Sequence, residues 1–154
     1  MSEGVRTLGS LDELKSLLSQ EVGLSDYVPI EQDRIARFAD ATEDRQWIHC
    51  DPERAAASPF KTTVAHGFLT VSLFPHLLSK AVRVGGMRLV INRGLAHVRF
   101  PAPVPSGSAI RARVRLLSCE EQQAGLDVTW EMTIECRGQR FPSCVAQWMV
   151  RYVR

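Results

Sequence analysis

The second half of the chain constrains the fold most. Segments 88–100, 108–118, 126–136 and 141–153 are each rich in Val, Ile, Thr and aromatic residues, with Gly- and Pro-bearing stretches such as PAPVPSG at 101–107 between them. This is the pattern of successive antiparallel strands. In the second segment Ile110, Ala112, Val114 and Leu116 alternate with Arg111, Arg113 and Arg115. Side chains two apart share a face of a strand, so one face of this sheet is buried and the other is wet. A sheet with one apolar face needs a second layer over it. The segment apolar enough to supply that layer is 68–84, FLTVSLFPHLLSKAVRV, which reads as a helix buried all round. Pro75 is expected to kink it, because proline removes a backbone donor and crowds the preceding turn. The predicted fold class is α+β, an antiparallel sheet wrapped around a long central helix.

Upstream, residues 10–23 read as a short amphipathic helix. Ser10 and Glu13 form a candidate capping box, Leu11, Leu14, Leu17 and Leu18 recur at helical spacing, and Gly23 ends the segment. Tyr27 to Ile30 looks extended, and 31–42 repeats the helical pattern through Ile35, Phe38 and Ala39. From 43 to 65 the pattern breaks into Asp, Pro, Ser, Thr and short alanine runs, an irregular and partly helical connection. The expected organisation is an N-terminal helical extension over 1–24 and one domain over 25–154, without internal repeats.

Several function classes are excluded at this level. The 154 residues, 45% of them apolar, suit one globular domain with a real core. A net charge of +2, spread as alternating signs, lacks the dense basic block that neutralises phosphates, so nucleic acid is not an expected partner. Cys50, Cys119, Cys136 and Cys144 show neither C-x-x-C spacing nor a Cys/His knuckle and read as reduced packing residues. No stretch reaches the roughly 18 apolar residues that span a bilayer, and the first residues lack a secretion signal. The expectation is a soluble cytoplasmic protein without a membrane partner.

Two polar clusters flank the start of the predicted central helix: Asp44-Arg45-Gln46-Trp47-Ile48-His49, and Ala65-His66-Gly67-Phe68. In an irregular turn, a carboxylate and an imidazole five residues apart can face one pocket and share proton transfers with one water. Spacing of this kind also arises by chance. Gly67 at a helix start presents a free N–H where negative charge could develop; equally, it could permit close packing. His66 could touch a substrate or be satisfied by local backbone. Asp51-Pro52 reads as a helix or turn start, and Asp33 and Asp40 as solvated residues of the second helix. His76 and His97 fall within helix and strand patterns without visible partners. A metal held by Asp44, His49 and His66 is conceivable by residue type, but no ligand spacing supports one.

The run Phe38-Ala39-Asp40-Ala41-Thr42-Glu43-Asp44-Arg45-Gln46-Trp47-Ile48-His49-Cys50-Asp51-Pro52-Glu53-Arg54-Ala55, followed by Val64-Ala65-His66-Gly67-Phe68-Leu69, resembles the hydratase motif of the MaoC-like family, the (R)-specific enoyl-CoA hydratases. Val98 to Val104 resembles the family's strand and turn after the central helix. The resemblance runs from about residue 25 to the C-terminus. It implies a hotdog fold, with the family's catalytic aspartate on Asp44, its histidine on His49 and its oxyanion N–H on Gly67. The common family form has Gly before the aspartate and Asn and Pro after it, where this chain has Glu43, Gln46 and Trp47. Gln and Trp at those places resemble the NodN-like branch, and Gln46 then takes the supporting role of the Asn.

The implied reaction is hydration of a trans-2-enoyl-CoA to an (R)-3-hydroxyacyl-CoA, a hydro-lyase activity of fatty acyl metabolism that needs no cofactor and no metal. Two alternatives remain open: a hotdog acyl-CoA thioesterase, and a weakly active acyl-thioester binding protein. The resemblance also implies a homodimer, consistent with an open sheet edge and an apolar groove that need covering.

Overall fold

The computed structural model describes residues 4–154. The N-terminal part comprises β1 (Arg6–Leu8), α1 (Leu11–Lys15), β2 (Glu21–Leu24), β3 (Val28–Ile30), α2 (Gln32–Thr42), α3 (Trp47–Cys50) and α4 (Pro52–Ala56). It is followed by α5 (Gly67–Ser72), α6 (Phe74–Ala81), β4 (Val82–Val84), β5 (Leu89–Arg99), β6 (Ser108–Gln122), β7 (Gly125–Cys136) and β8 (Cys144–Val153). The sheet runs β2-β6-β7-β8-β5, with β3 also paired to β6. Its ladders are antiparallel throughout.

The predicted alternation sets the register. Ile110, Ala112, Val114 and Leu116 of β6 are fully buried, as are Trp130, Met132 and Ile134 of β7. Leu116 lies opposite Trp130, which lies opposite Trp148 of β8. The indole N–H of Trp130 donates to the Tyr152 hydroxyl at 3.2 Å, so this core satisfies its own polar atom. On the wet face Arg111 pairs with Glu135 at 2.8 Å, Arg113 bridges Glu135 and Glu21, and Arg151 forks onto Asp127 at 2.6 Å. Leu69, Phe74, Leu77, Leu78 and Ala81 cover the apolar face from α5 and α6 and share one core with it. This sheet around a helix is the hotdog fold.

Three expectations are corrected. The helix predicted over 10–23 is only α1, capped as foreseen by the Ser10 hydroxyl, which accepts from Glu13 N at 3.1 Å. The chain then turns and residues 21–24 add a strand to β6. Gly23 is therefore not a helix end; a Cβ there would lie 2.8 Å from the Ala81 carbonyl oxygen, so its lack of a side chain lets the strand approach α6. The central helix is split at Leu73, just before Pro75, and stops at Ala81, where Val82-Arg83-Val84 leave as a strand parallel to β1. Nor is it buried all round within one chain. Phe68 is 72% exposed, and Ser72, Pro75 and His76 are exposed as well. Sequence apolarity does not distinguish a face on the chain's own sheet from one left open.

The cysteines are free, with Cys136 and Cys144 buried and Cys50 exposed. Among the described residues no helix is long and apolar enough to cross a membrane.

Candidate active site

Helix α2 ends at Thr42, and its cap residue Glu43 takes the left-handed conformation (φ 61°, ψ 14°). That region favours glycine and costs other residues roughly 1 kcal/mol or more. It turns the chain sharply out of the helix into Asp44, which is half-buried and lies in neither helix nor strand. The Gln46 side-chain amide donates to Asp44 Oδ1 at 3.2 Å. Despite its extra methylene, Gln46 thus reaches the carboxylate.

The short helix α3 then carries His49 inward, to 7% exposure. Its Nδ1 lies 2.6 Å from the Val64 carbonyl oxygen. A carbonyl only accepts, so Nδ1 carries the proton and the neutral ring keeps its lone pair on Nε2. Burial pushes the His49 pKa below the ordinary histidine value; the neighbouring His66 lowers it further, against opposing effects of the Val64 bond and Asp44. The site therefore favours a neutral imidazole able to accept a proton.

Asp44, His49 and His66 converge, each bringing one oxygen or nitrogen within 4.8 Å of the others. His66, 3% exposed, directs Nε2 to the main-chain oxygen of Asp44 at 2.8 Å. Its ring stacks on that of His49, with centroids 3.7 Å apart and planes 23° apart, and it leans on Phe38 at 5.0 Å. Of the two readings open for His66, backbone satisfaction holds, but its partner lies 22 residues away. Two imidazoles and a carboxylate are donors that a transition metal accepts. Rings stacked this closely, however, have planes that do not meet at one point about 2 Å from both nitrogens, as shared coordination needs. The geometry suits proton exchange around water better than a shared ion.

Gly67 is the first residue of α5, so its N–H has no acceptor within that helix. A Cβ at this position would meet the Phe100 ring at 3.0 Å, so close packing also demands the glycine. Both readings of Gly67 are compatible with the geometry. Asp51 accepts from Arg54 N at 3.0 Å as the cap of α4, while Asp33 and Asp40 pair with Arg37 and Arg45 on the exposed side.

Gln32 could not be singled out from the sequence. Its amide donates to the His49 carbonyl at 2.8 Å, and its side-chain oxygen accepts from the Thr63 hydroxyl. Nothing in a chain separation of 17 residues signals that contact. Between α5, α6, β5 and β8 lies a cavity of about 280 Å³ whose lining includes Val71, Phe74, Leu95 and Trp148.

Residues 13–135 match the family model described as MaoC like domain. The chain is 49% identical to 3-hydroxyacyl-thioester dehydratase Z of Mycobacterium tuberculosis, over 97% of this chain and 99% of that protein. It is 41% identical to Nodulation protein N of Rhizobium leguminosarum bv. viciae, over 91% of this chain and 89% of that one. Among solved structures, the (R)-hydratase from A. caviae involved in PHA biosynthesis superposes with a TM-score of 0.70 at 27% identity, covering 87% of this chain and 98% of that one.

Proposed function

The chain belongs to the MaoC-like dehydratase domain family, and from that premise we propose that it catalyses the reversible hydration of trans-2-enoyl-CoA to (R)-3-hydroxyacyl-CoA. The observation that carries this reading is the convergence of the Asp44 carboxylate with a buried His49 whose hydrogen bond to Val64 leaves Nε2 as an acceptor. The 49% identity to a 3-hydroxyacyl-thioester dehydratase supports the substrate class.

In the hydration direction a water held between Asp44 and His49 gives a proton to the pair as its oxygen bonds to C3. The C2–C3 π electrons move toward the thioester carbonyl, and the resulting enolate oxygen is held by the Gly67 N–H. The pair then returns a proton to C2 on the same face, and the reverse order expels water. The two groups act as a coupled unit. Gln46, bonded to Asp44 Oδ1, holds the carboxylate in orientation. The acyl chain lies against the central helix and the sheet.

The protein functions as a homodimer in this reading. Strand β5 lies at the sheet edge, paired among the described residues to β8 alone, and exposes Leu89, Val90, Ile91 and Leu95 by 42–48%. An open apolar edge of this kind is covered when a second copy continues the sheet. Light scattering during gel filtration should give twice the chain mass; a monomer would overturn the dimer.

The test of the reaction is purified protein with crotonyl-CoA and longer enoyl-CoAs. Loss of conjugated-enoyl absorbance with formation of the (R) alcohol is expected. Free thiol without alcohol would instead identify a thioesterase, and no change with any chain length would overturn enzymatic hydration.

A further inference from the structure

Segment 43–46, which carries Asp44, has neither helix nor strand to hold it. Its placement therefore depends on bonds from elsewhere in the chain. The His66 imidazole supplies one, donating from Nε2 to the Asp44 main-chain oxygen at 2.8 Å. The same ring lies flat against His49 at 3.7 Å. Its remaining nitrogen, Nδ1, is buried and has no hydrogen-bond partner among the described residues.

That bare nitrogen is informative. A phenylalanine would fill the same slot between Phe38 and His49 without stranding a polar atom, and stranding one is unfavourable. What the histidine adds over an apolar ring is the N–H on Asp44. We propose that His66 is a positioning residue for the acid/base pair: its N–H fixes the main chain of Asp44 while its ring face fixes the imidazole of His49.

This inference rests on the Asp44/His49 reading above and gives that pair a common gauge. Displacement of a reacting group by about 1 Å can cost on the order of a hundredfold in rate. Loss of the N–H should therefore lower kcat while leaving thioester binding nearly unchanged.

Two substitutions separate the functions of the ring. His66→Phe keeps the stack and removes the N–H, whereas His66→Gln removes the ring and can restore an N–H near the Nε2 position. With crotonyl-CoA, His66→Phe is expected to lose kcat by roughly 10–100-fold, with KM within about twofold and a melting temperature no lower than wild type. His66→Gln, which can restore the N–H but loses the stack on His49, is expected to recover only part of the lost kcat and to stay above His66→Phe. Wild-type kcat in His66→Phe, or equal losses in both variants that track the loss of folded protein, would overturn the proposal. Asp44→Asn and His49→Ala, assayed alongside, distinguish the two readings. If these two lose turnover and His66→Phe keeps wild-type kcat, only the positioning inference fails; if they retain turnover, the reaction assignment fails. A readout independent of turnover is the tautomer seen in long-range ¹H–¹⁵N spectra of the wild-type protein. His66 protonated on Nε2 is expected, and protonation on Nδ1 would overturn the inference.

Discussion

The sheet and the connection between α2 and α5 are held by different kinds of bond. In β6, β7 and β8 the ladders join main chain to main chain, and the side chains contribute burial spread over many residues. In the connection, side chains hold main chain: Gln32 on the His49 carbonyl, His49 on that of Val64 and His66 on that of Asp44, at 2.8, 2.6 and 2.8 Å. A ladder bond survives most substitutions because it does not depend on side-chain identity. A bond made by one imidazole or one amide does not. Changes in the sheet should therefore act on stability first, and changes in the connection on chemistry first.

The largest separation should come from the acid/base pair itself. Asp44→Asn and His49→Ala are expected to lower turnover by about 10²–10⁴-fold, the usual worth of general acid/base groups, and Asp44→Asn to do so with little change in melting temperature. A drop in both together would erase the contrast between the two regions. The converse test is Trp130→Ala. Trp130 is fully buried and bonded to Tyr152, so the expected loss is on the order of 3–5 kcal/mol in urea unfolding. The fraction that stays folded should keep its specific activity.

A subtler test uses pH. The His49 pKa is lowered in the folded protein, chiefly by burial, while the unfolded chain titrates near pH 6.5. The unfolded state therefore takes up protons first as pH falls. The stability contributed by neutral His49 is present above about pH 6.5 and is lost as pH falls through the lowered value. Thermal melts between about pH 7.5 and 5 should show a shallower decline for His49→Gln than for wild type; parallel declines would remove His49 as a cause. Protonating the ring also removes its acceptor, so kcat/KM should fall on the acid side. The smallest effect is at the N-terminus, where Ser10→Ala removes the cap of α1. A loss of about 1 kcal/mol in chemical denaturation is expected, with turnover unchanged.

The alternation along β6 was legible because a strand has a period of two and one face of this sheet meets a core. The capping of α1 by Ser10 was legible because its partners are three residues apart. The end of α1 was not, since Leu17 and Leu18 continue the helical spacing while β6 recruits residues 21–24 into the sheet. The break at Leu73 was foreshadowed by Pro75, but the exposure of Phe68 was not, because apolarity does not record which face is covered. Asp44, His49 and Gly67 were found as candidates through motif order. Gln32 and the long-range partner of His66 were invisible, having no local signature.

The sequence by itself determined the fold class and the family, through periodicity and through two motifs in order. It also placed Asp44 and His49 as a candidate pair, through the motif whose resemblance to the family they carry. Only the tertiary structure decided how that pair is held. The bonds from Gln32 to His49 and from His66 to Asp44 span 17 and 22 residues, and contacts over such separations follow from how the elements pack, which no local spacing encodes.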